Sequence, residues 1–359
     1  MNRGYKGRCM MQERYDKPWV GFVLGDHAGI GPEIVLKLLK RPRVYEQCRP
    51  VVIGNFELLC QTAQQIAPDH LLVPYGLEEL ERRFPEGFPE TGIPVVDIEG
   101  DVSHVVVGTV NTAAGMIAYH SIEAGYRLLE DGILEGLILA PATKEAISKC
   151  GCGYHSEYEI LAACAGVPEA HTVVKGGTIL RASVAGHIPF REIVEALSVE
   201  RVAATGRDLA DMIRLVYGKA PRILVAGLNP CLEDGILEAE EQTIILPAIA
   251  ELQSRIKDLD ISGPVPAGTI FDMALEKEYN GILYMYHDQG NIAMKTRMFQ
   301  TTACIYTNVP YPILSPGHGS ALDIAELGVA NPTNISYVLS TLTDIIQTRR
   351  QLKKPLCKA

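Results

Sequence analysis

The feature that most limits what this chain can fold into is an alternation of short apolar runs with longer helical patterns. "VGFVLG" (Val20–Gly25), "PVVIGN" (Pro50–Asn55), "LEGLILAPAT" (Leu134–Thr143), "RILVAGLNP" (Arg222–Pro230) and "GILYM" (Gly281–Met285) read as buried strands. Near them stand "FELLCQTAQQIA", "AYHSIEAGYRLLEDG" and "GRDLADMIRLVYG", which carry helical patterns. Strands alternating with helices predict βαβ units, a largely parallel sheet and an α/β fold. In such sheets binding residues gather just beyond the carboxyl ends of the strands. The 359 residues are enough for two α/β domains.

Several strand ends carry chemistry. "YHDQGNIAMK" (Tyr286–Lys295) places an imidazole, a carboxylate, an amide and an ammonium within one short stretch. "RASVAGHIPFRE" puts His187 after another strand-like run, and "ILVAGLNPC" puts Cys231 after a third. Neutral imidazole and thiolate are good ligands for zinc and similar divalent ions. Three protein ligands with a fourth place open would polarise a substrate oxygen. The separations between His187, Cys231 and His287 have no diagnostic spacing, so a purely structural role for each stays open. His70, His104, His120 and His171 lie in polar or helical surroundings and read as structural. "GDHAGIGPEIVLKLL" follows the first strand, with Pro32 and Glu33 suited to a helix start. It is neither a GxGxxG fingerprint nor a Walker A loop. It reads equally as a well-made turn or as a loop facing a cofactor or substrate.

Composition narrows the class. Hydrophobic residues make up 47% and charged residues 21%, as in a folded globular protein. A formal charge of -10 argues against indiscriminate nucleic-acid binding. No apolar run of ~20 residues is present, so no membrane span is expected. The opening "MNRGYKGRCMMQERYDKPW" lacks the apolar core of a signal peptide and reads as an extension over residues 1–19. The odd count of nine cysteines, without a disulfide-like framework, suits a reducing compartment and a cytoplasmic location. "CGC" (Cys150–Cys152) is too closely spaced for the usual CxxC redox or zinc pair and reads as small residues in a loop.

Taken in order, "GDHAGIGPEI", "APATKEAI", "HSEY", "GHIPFRE", "AGLNP", "GPVPAGTIF", "MYHDQGNIAMK" and "GHGSALDIA" name a family. The chain resembles the 4-hydroxythreonine-4-phosphate dehydrogenases of vitamin B6 synthesis and their catabolic relatives. One of those relatives oxidises the cis-dihydrodiol of terephthalate. The resemblance implies an NAD- or NADP-dependent oxidation of a secondary alcohol, assisted by a divalent metal, with loss of carbon dioxide from the oxo acid formed. It implies a homodimer with the site at the dimer boundary, and no membrane or nucleic-acid partner. It also implies two α/β domains around a cleft, as in isocitrate and isopropylmalate dehydrogenases. The expected division is residues 20–150 with 318–359 for the first domain. Residues 151–317 form the second, with the metal and substrate residues.

Matched position by position, the family's metal histidines fall at His187 and His287, and its third ligand falls at Cys231, where the family has histidine. A thiolate there favours zinc over manganese or magnesium. The substrate-contacting His-Thr pair falls at His155 and Ser156, and a further substrate contact at Lys295. An asparagine and an arginine of the family fall at Cys304 and Ile313, so the usual phosphate grip is altered. Arg297 is an arginine that could take its place. This departure argues for a small anionic substrate other than 4-hydroxythreonine-4-phosphate. Lys144, after Thr143 where the family has histidine, is a candidate acid or base, and Asp288 a candidate orienting carboxylate. Asn229, Glu233 and His318 are candidates for the cofactor side.

Overall fold

The alternation in the sequence becomes a chain of parallel strands. The structure, a computed structural model, describes residues 17–83, 91–230, 232 and 237–353. Among these residues twelve strands occur. They are β1 (Trp19–Val23), β2 (Arg49–Gly54), β3 (Leu72–Tyr75), β4 (Ile93–Asp97), β5 (Gly136–Leu139) and β6 (His171–Gly176). Then follow β7 (Ile179–Ala185), β8 (Arg222–Ala226), β9 (Asp260–Val265), β10 (Gly281–Tyr286), β11 (Thr302–Thr307) and β12 (Ile313–Pro316). The fold is α/β, in two compact units. Of the described residues, one unit holds those from 17 to 171 and 308–347, and the other those from 172 to 307 and 348–353.

In the first unit the strands run in the order β3-β4-β2-β1-β5-β12, and every pairing is parallel. β1 is buried along its whole length, because a parallel strand inside such a sheet is covered on both faces. The helices nearest the strand ends are α1 (Gly31–Leu39), α2 (Thr112–Glu130), α3 (Lys144–Lys149) and α4 (Glu157–Ala165). The Asn111 side chain caps α2 by accepting from the Ala114 N–H, and Ser156 caps α4 by accepting from Glu159. α4 packs on α2, and β12 pairs with β5. Residues 151–171 and 308–317 therefore join the first unit, and the divisions fall at 171/172 and 307/308 instead of the expected 150/151 and 317/318.

The "GDHAGIG" loop is a buried turn. Asp26 donates its N–H to the Pro141 carbonyl (3.0 Å), and Ile30 donates to Ser320 O (2.9 Å). A Cβ on Gly29 would lie 2.7 Å from Ser320 O, so only glycine lets the two loops touch. His27 is buried, and its Nε2 accepts the Asn55 N–H at 3.1 Å. That bond assigns the proton to Nδ1.

In the second unit the order is β11-β6-β7-β10-β8-β9. β6 and β7 pair antiparallel, while β7, β10, β8 and β9 run parallel. Helices α5 (Val199–Tyr217) and α6 (His287–Met298) belong to this unit. Leu224, Ile282, Tyr284, Phe271 and Met294 build its core, so α6 is held to the sheet through Met294.

Desolvation drives the His27 pKa down to about 4 from 6.5. The fold thus prefers the neutral ring, and the unfolded chain binds the proton more readily. The stabilisation is full above pH 6.5 and is lost as the pH falls towards 4. Denaturant unfolding across that window should show a loss of roughly 3 kcal/mol that His27→Gln does not show. Equal slopes for both proteins would contradict this account.

Candidate functional site

β10 lies between β7 and β8, and all three run the same way, so their carboxyl ends share one edge. Ala185 of β7 pairs in register with Tyr286 of β10. The chains leave the sheet there side by side, which brings together His187 and His287. Their ring centroids are 4.8 Å apart, with the planes inclined at 44°. Asp288 Oδ1 sits 2.7 Å from His287 Nδ1, which leaves Nε2 as the other donor atom of that ring. Phe190 meets Tyr286 edge-on at 5.9 Å and flanks the pair.

The third strand end is fastened from two directions. Gln289 Oε1 accepts the Met285 N–H (3.0 Å), and its Nε2 donates to Gly227 O (3.0 Å). One amide thus ties the end of β10 to the loop after β8. That loop also wraps a buried carboxylate. Glu241 Oε1 accepts the N–H groups of Leu228 and Asn229, each at 2.9 Å, and Oε2 accepts from Asn229 Nδ2 at 3.0 Å. Burial by itself would raise the Glu241 pKa, but these hydrogen bonds outweigh it and hold the carboxyl below its usual value. Asn229 Nδ2 also donates to Glu240 at 3.0 Å, so its amide nitrogen is engaged inside the loop.

Cys231 and Glu233 lie outside the described residues. Among the described residues no three His, Cys, Asp or Glu side chains gather to hold a metal; the imidazole pair is what the structure assembles. Two imidazoles on adjacent strand ends, one with a carboxylate on its far nitrogen, suit a divalent cation. Lys295 is half-buried on α6, two turns beyond Asp288 and on the same helical face. Arg297 pairs with Asp272 at 2.8 Å on the protein surface.

In the first unit β1, β5 and β12 are adjacent and parallel, and their ends gather a second cluster. Thr143 Oγ1 and Ser320 Oγ share a hydrogen bond of 2.7 Å. The buried Asp26 carboxyl accepts the Ala28 N–H at 2.8 Å. Its pKa is raised by burial, against the lowering effect of bonds from Thr143 and Ala28. Lys144 opens α3, exposed, with its Nζ 5.2 Å from the centre of the Tyr158 ring. Burial raises the Glu157 pKa, partly offset by the charge of Lys144. His155 Nδ1 is 2.8 Å from Ser148 Oγ, and the His155 N–H donates to Glu159 at 2.9 Å. Ser156 accepts from the Glu159 N–H (3.5 Å) as the cap of α4. His318 is half-buried after β12, with Nδ1 3.0 Å from Gly319 O.

The structure therefore places His187, Asn229, His287, Asp288 and Lys295 in one unit, and Lys144, His155, Ser156 and His318 in the other. Glu241, Gln289, Asp26 and Glu157 escaped the reading of the sequence as positioning groups. The buried Glu241 had one legible signal, a charged pair "EE" at the head of an otherwise apolar "TIILPAIA".

A family profile described as the pyridoxal phosphate biosynthetic protein PdxA matches residues 46–341. A candidate D-threonate 4-phosphate dehydrogenase of Clostridium botulinum is 30% identical over 322 residues, 89% of this chain and 94% of that protein. The crystal structure of a 4-hydroxythreonine-4-phosphate dehydrogenase from Klebsiella pneumoniae superposes with a TM-score of 0.78 at 28% identity, over 92% of this chain and 100% of that one. A terephthalate 1,2-cis-dihydrodiol dehydrogenase from Burkholderia xenovorans shares the fold, with a TM-score of 0.59 at 24% identity, over 91% of this chain and 98% of that one.

Glu241→Ala should leave three N–H groups without their buried acceptor. Chemical denaturation should register a loss of roughly 2–4 kcal/mol. A variant of undiminished stability would show that the loop does not depend on this carboxylate.

Proposed function

Because the chain belongs to the family of the pyridoxal phosphate biosynthetic protein PdxA, we propose that it oxidises a secondary alcohol of a small anionic hydroxy acid or diol. It stands among oxidoreductases acting on a CH–OH group. In this reading NAD or NADP would supply the hydride acceptor, and the oxo acid formed would lose carbon dioxide where its structure allows. A divalent cation, zinc before manganese or magnesium, would be held by His187, His287 and Cys231. When bound, it supplies Lewis-acid polarisation of the substrate oxygen. The chain works as a homodimer.

The observation that carries the reading is the His187–His287 pair at 4.8 Å. Asp288 on Nδ1 sets the tautomer and the facing of the His287 ring, so that Nε2 is presented as the ligand atom. Gln289 and Glu241 hold the loop before Cys231 in place without touching the substrate. Lys295 neutralises an anionic group of the substrate, and His155 and Ser156 make polar contacts to it. Lys144 Nζ takes or returns the proton of the substrate hydroxyl, steadied by the Tyr158 ring and the Glu157 carboxyl. Asn229, Glu233 and His318 would be the residues on the side of the nicotinamide cofactor.

The substrate is set apart from 4-hydroxythreonine-4-phosphate by the phosphate grip. Ile313, at the family's arginine position, is fully buried in β12 and pairs in register with Leu137. Nothing on that side chain can grip a phosphate. Unphosphorylated hydroxy acids are the first compounds to test, with D-threonate 4-phosphate, named for the Clostridium relative, beside them as the phosphorylated comparison.

A dehydrogenase screen of phosphorylated and unphosphorylated hydroxy acids, with and without zinc, manganese or magnesium, tests the reading. Turnover should require a metal, and 4-hydroxythreonine-4-phosphate should be a poor substrate. His287→Ala should lose bound metal and all detectable turnover while keeping the thermal unfolding transition of the parent. Full activity in that variant would remove His287 from the site, and efficient turnover of 4-hydroxythreonine-4-phosphate would defeat the substrate assignment.

A further inference from the structure

"CGC" is too closely spaced for a CxxC motif, yet the fold aims both sulfurs at one atom. Cys150 Sγ donates to Ile147 O at 3.0 Å, and Cys152 Sγ donates to the same carbonyl at 3.6 Å. Cys152 Sγ also reaches Tyr154 O at 3.7 Å. Both cysteines are partly exposed free thiols. Two Cα–Cα steps of about 3.8 Å folded at a turn span about 5–6 Å, within the range a disulfide bridges. Gly151 has a φ of 87° and Gly153 a φ of 85°, and a Cβ at either would meet nothing within 4 Å. The loop is therefore folded back, open to small reagents, and has room to change.

This loop leads directly into His155. Ser148, on α3 beside Ile147, holds His155 Nδ1, and the Tyr154 carbonyl is one of the Cys152 acceptors. The two thiols thus pin the segment that carries a proposed substrate contact. We propose that Cys150 and Cys152 form a thiol–disulfide site. It closes on reaction with a low-molecular-weight disulfide and resets the segment bearing His155. The inference rests on the reading of His155 as a substrate residue.

The chemistry balances as two exchanges. One protein thiolate attacks the small disulfide, forming a mixed disulfide and releasing one small thiolate. The second protein thiolate attacks the sulfur of the first, closing the Cys150–Cys152 bond and releasing the other small thiolate. The protein pair gives up two electrons, the small disulfide accepts them, and each released thiolate takes up a proton. Closure removes both S–H donors from Ile147 O, and one from Tyr154 O.

The test treats the reduced full-length protein with oxidised glutathione and maps the products by peptide mass spectrometry. It also measures amide exchange over residues 150–160 and KM for the best substrate of the screen. Wild type should lose two hydrogen masses in the peptide holding both cysteines and show altered exchange. Its KM should rise severalfold, and dithiothreitol should reverse all three changes. Cys152→Ser should stop at a glutathione adduct or stay unmodified. A wild type that stops at the adduct, or never reacts at this loop, overturns the proposal. A disulfide that forms with exchange and KM unchanged overturns the link to His155. Mass and exchange do not depend on turnover, so an absence of dehydrogenase activity would count against the proposed function and leave this test intact.

Discussion

Parallel pairing of neighbouring strands is the constraint from which both clusters follow. Once β7, β10 and β8 are hydrogen-bonded in the same direction, the chain must leave the sheet three times along one edge. The pairing of Ala185 with Tyr286 then fixes which side chains meet beyond it. A slip of one residue would turn His287 to the other face and part it from His187. β1, β5 and β12 impose the same condition on Asp26, Thr143 and Ser320.

Strand ends set the neighbourhood, but buried polar groups set the loops. Glu241 is a buried carboxylate, kept ionised by three N–H donors, and it fastens the Leu228–Asn229 backbone. Gln289 does the same between β10 and the loop after β8 through one donor and one acceptor. Each such group loses its hydrogen bonds to water on folding, and the loss is offset only when every protein partner is in place. That requirement makes the loops cooperative with the sheet rather than independent of it. Asp26 is the opposite case, a buried carboxyl whose bonds do not fully offset its desolvation.

The positions singled out in the sequence each have a definite structural setting. Ile313 stands inside β12 as a fully buried core residue. Arg297 is occupied by Asp272 on the protein surface. The "CGC" loop puts two soft nucleophiles beside the segment that carries His155. Under the proposed reading these positions would alter the grip on the substrate, while the imidazole pair stays assembled.

The sequence by itself determined the α/β class, strands near Val20–Gly25, Pro50–Asn55 and Gly281–Met285, which the structure bounds at Trp19–Val23, Arg49–Gly54 and Gly281–Tyr286, and the placement of His187 and His287 at strand ends. Those properties follow from local periodicity and from the order of motifs, which need no knowledge of distant partners. It left the "GDHAGIG" segment undecided between turn and ligand loop, and it gave no role to Glu241 or Gln289. It also divided the chain at 150/151 and 317/318, where the structure divides it at 171/172 and 307/308. Those matters depend on contacts between residues far apart in the chain, such as Gly29 against Ser320, α4 against α2, and Gln289 against Gly227. Only the tertiary structure decided them, because burial and hydrogen-bond partners arise when distant segments pack, and no local pattern encodes which segments those are.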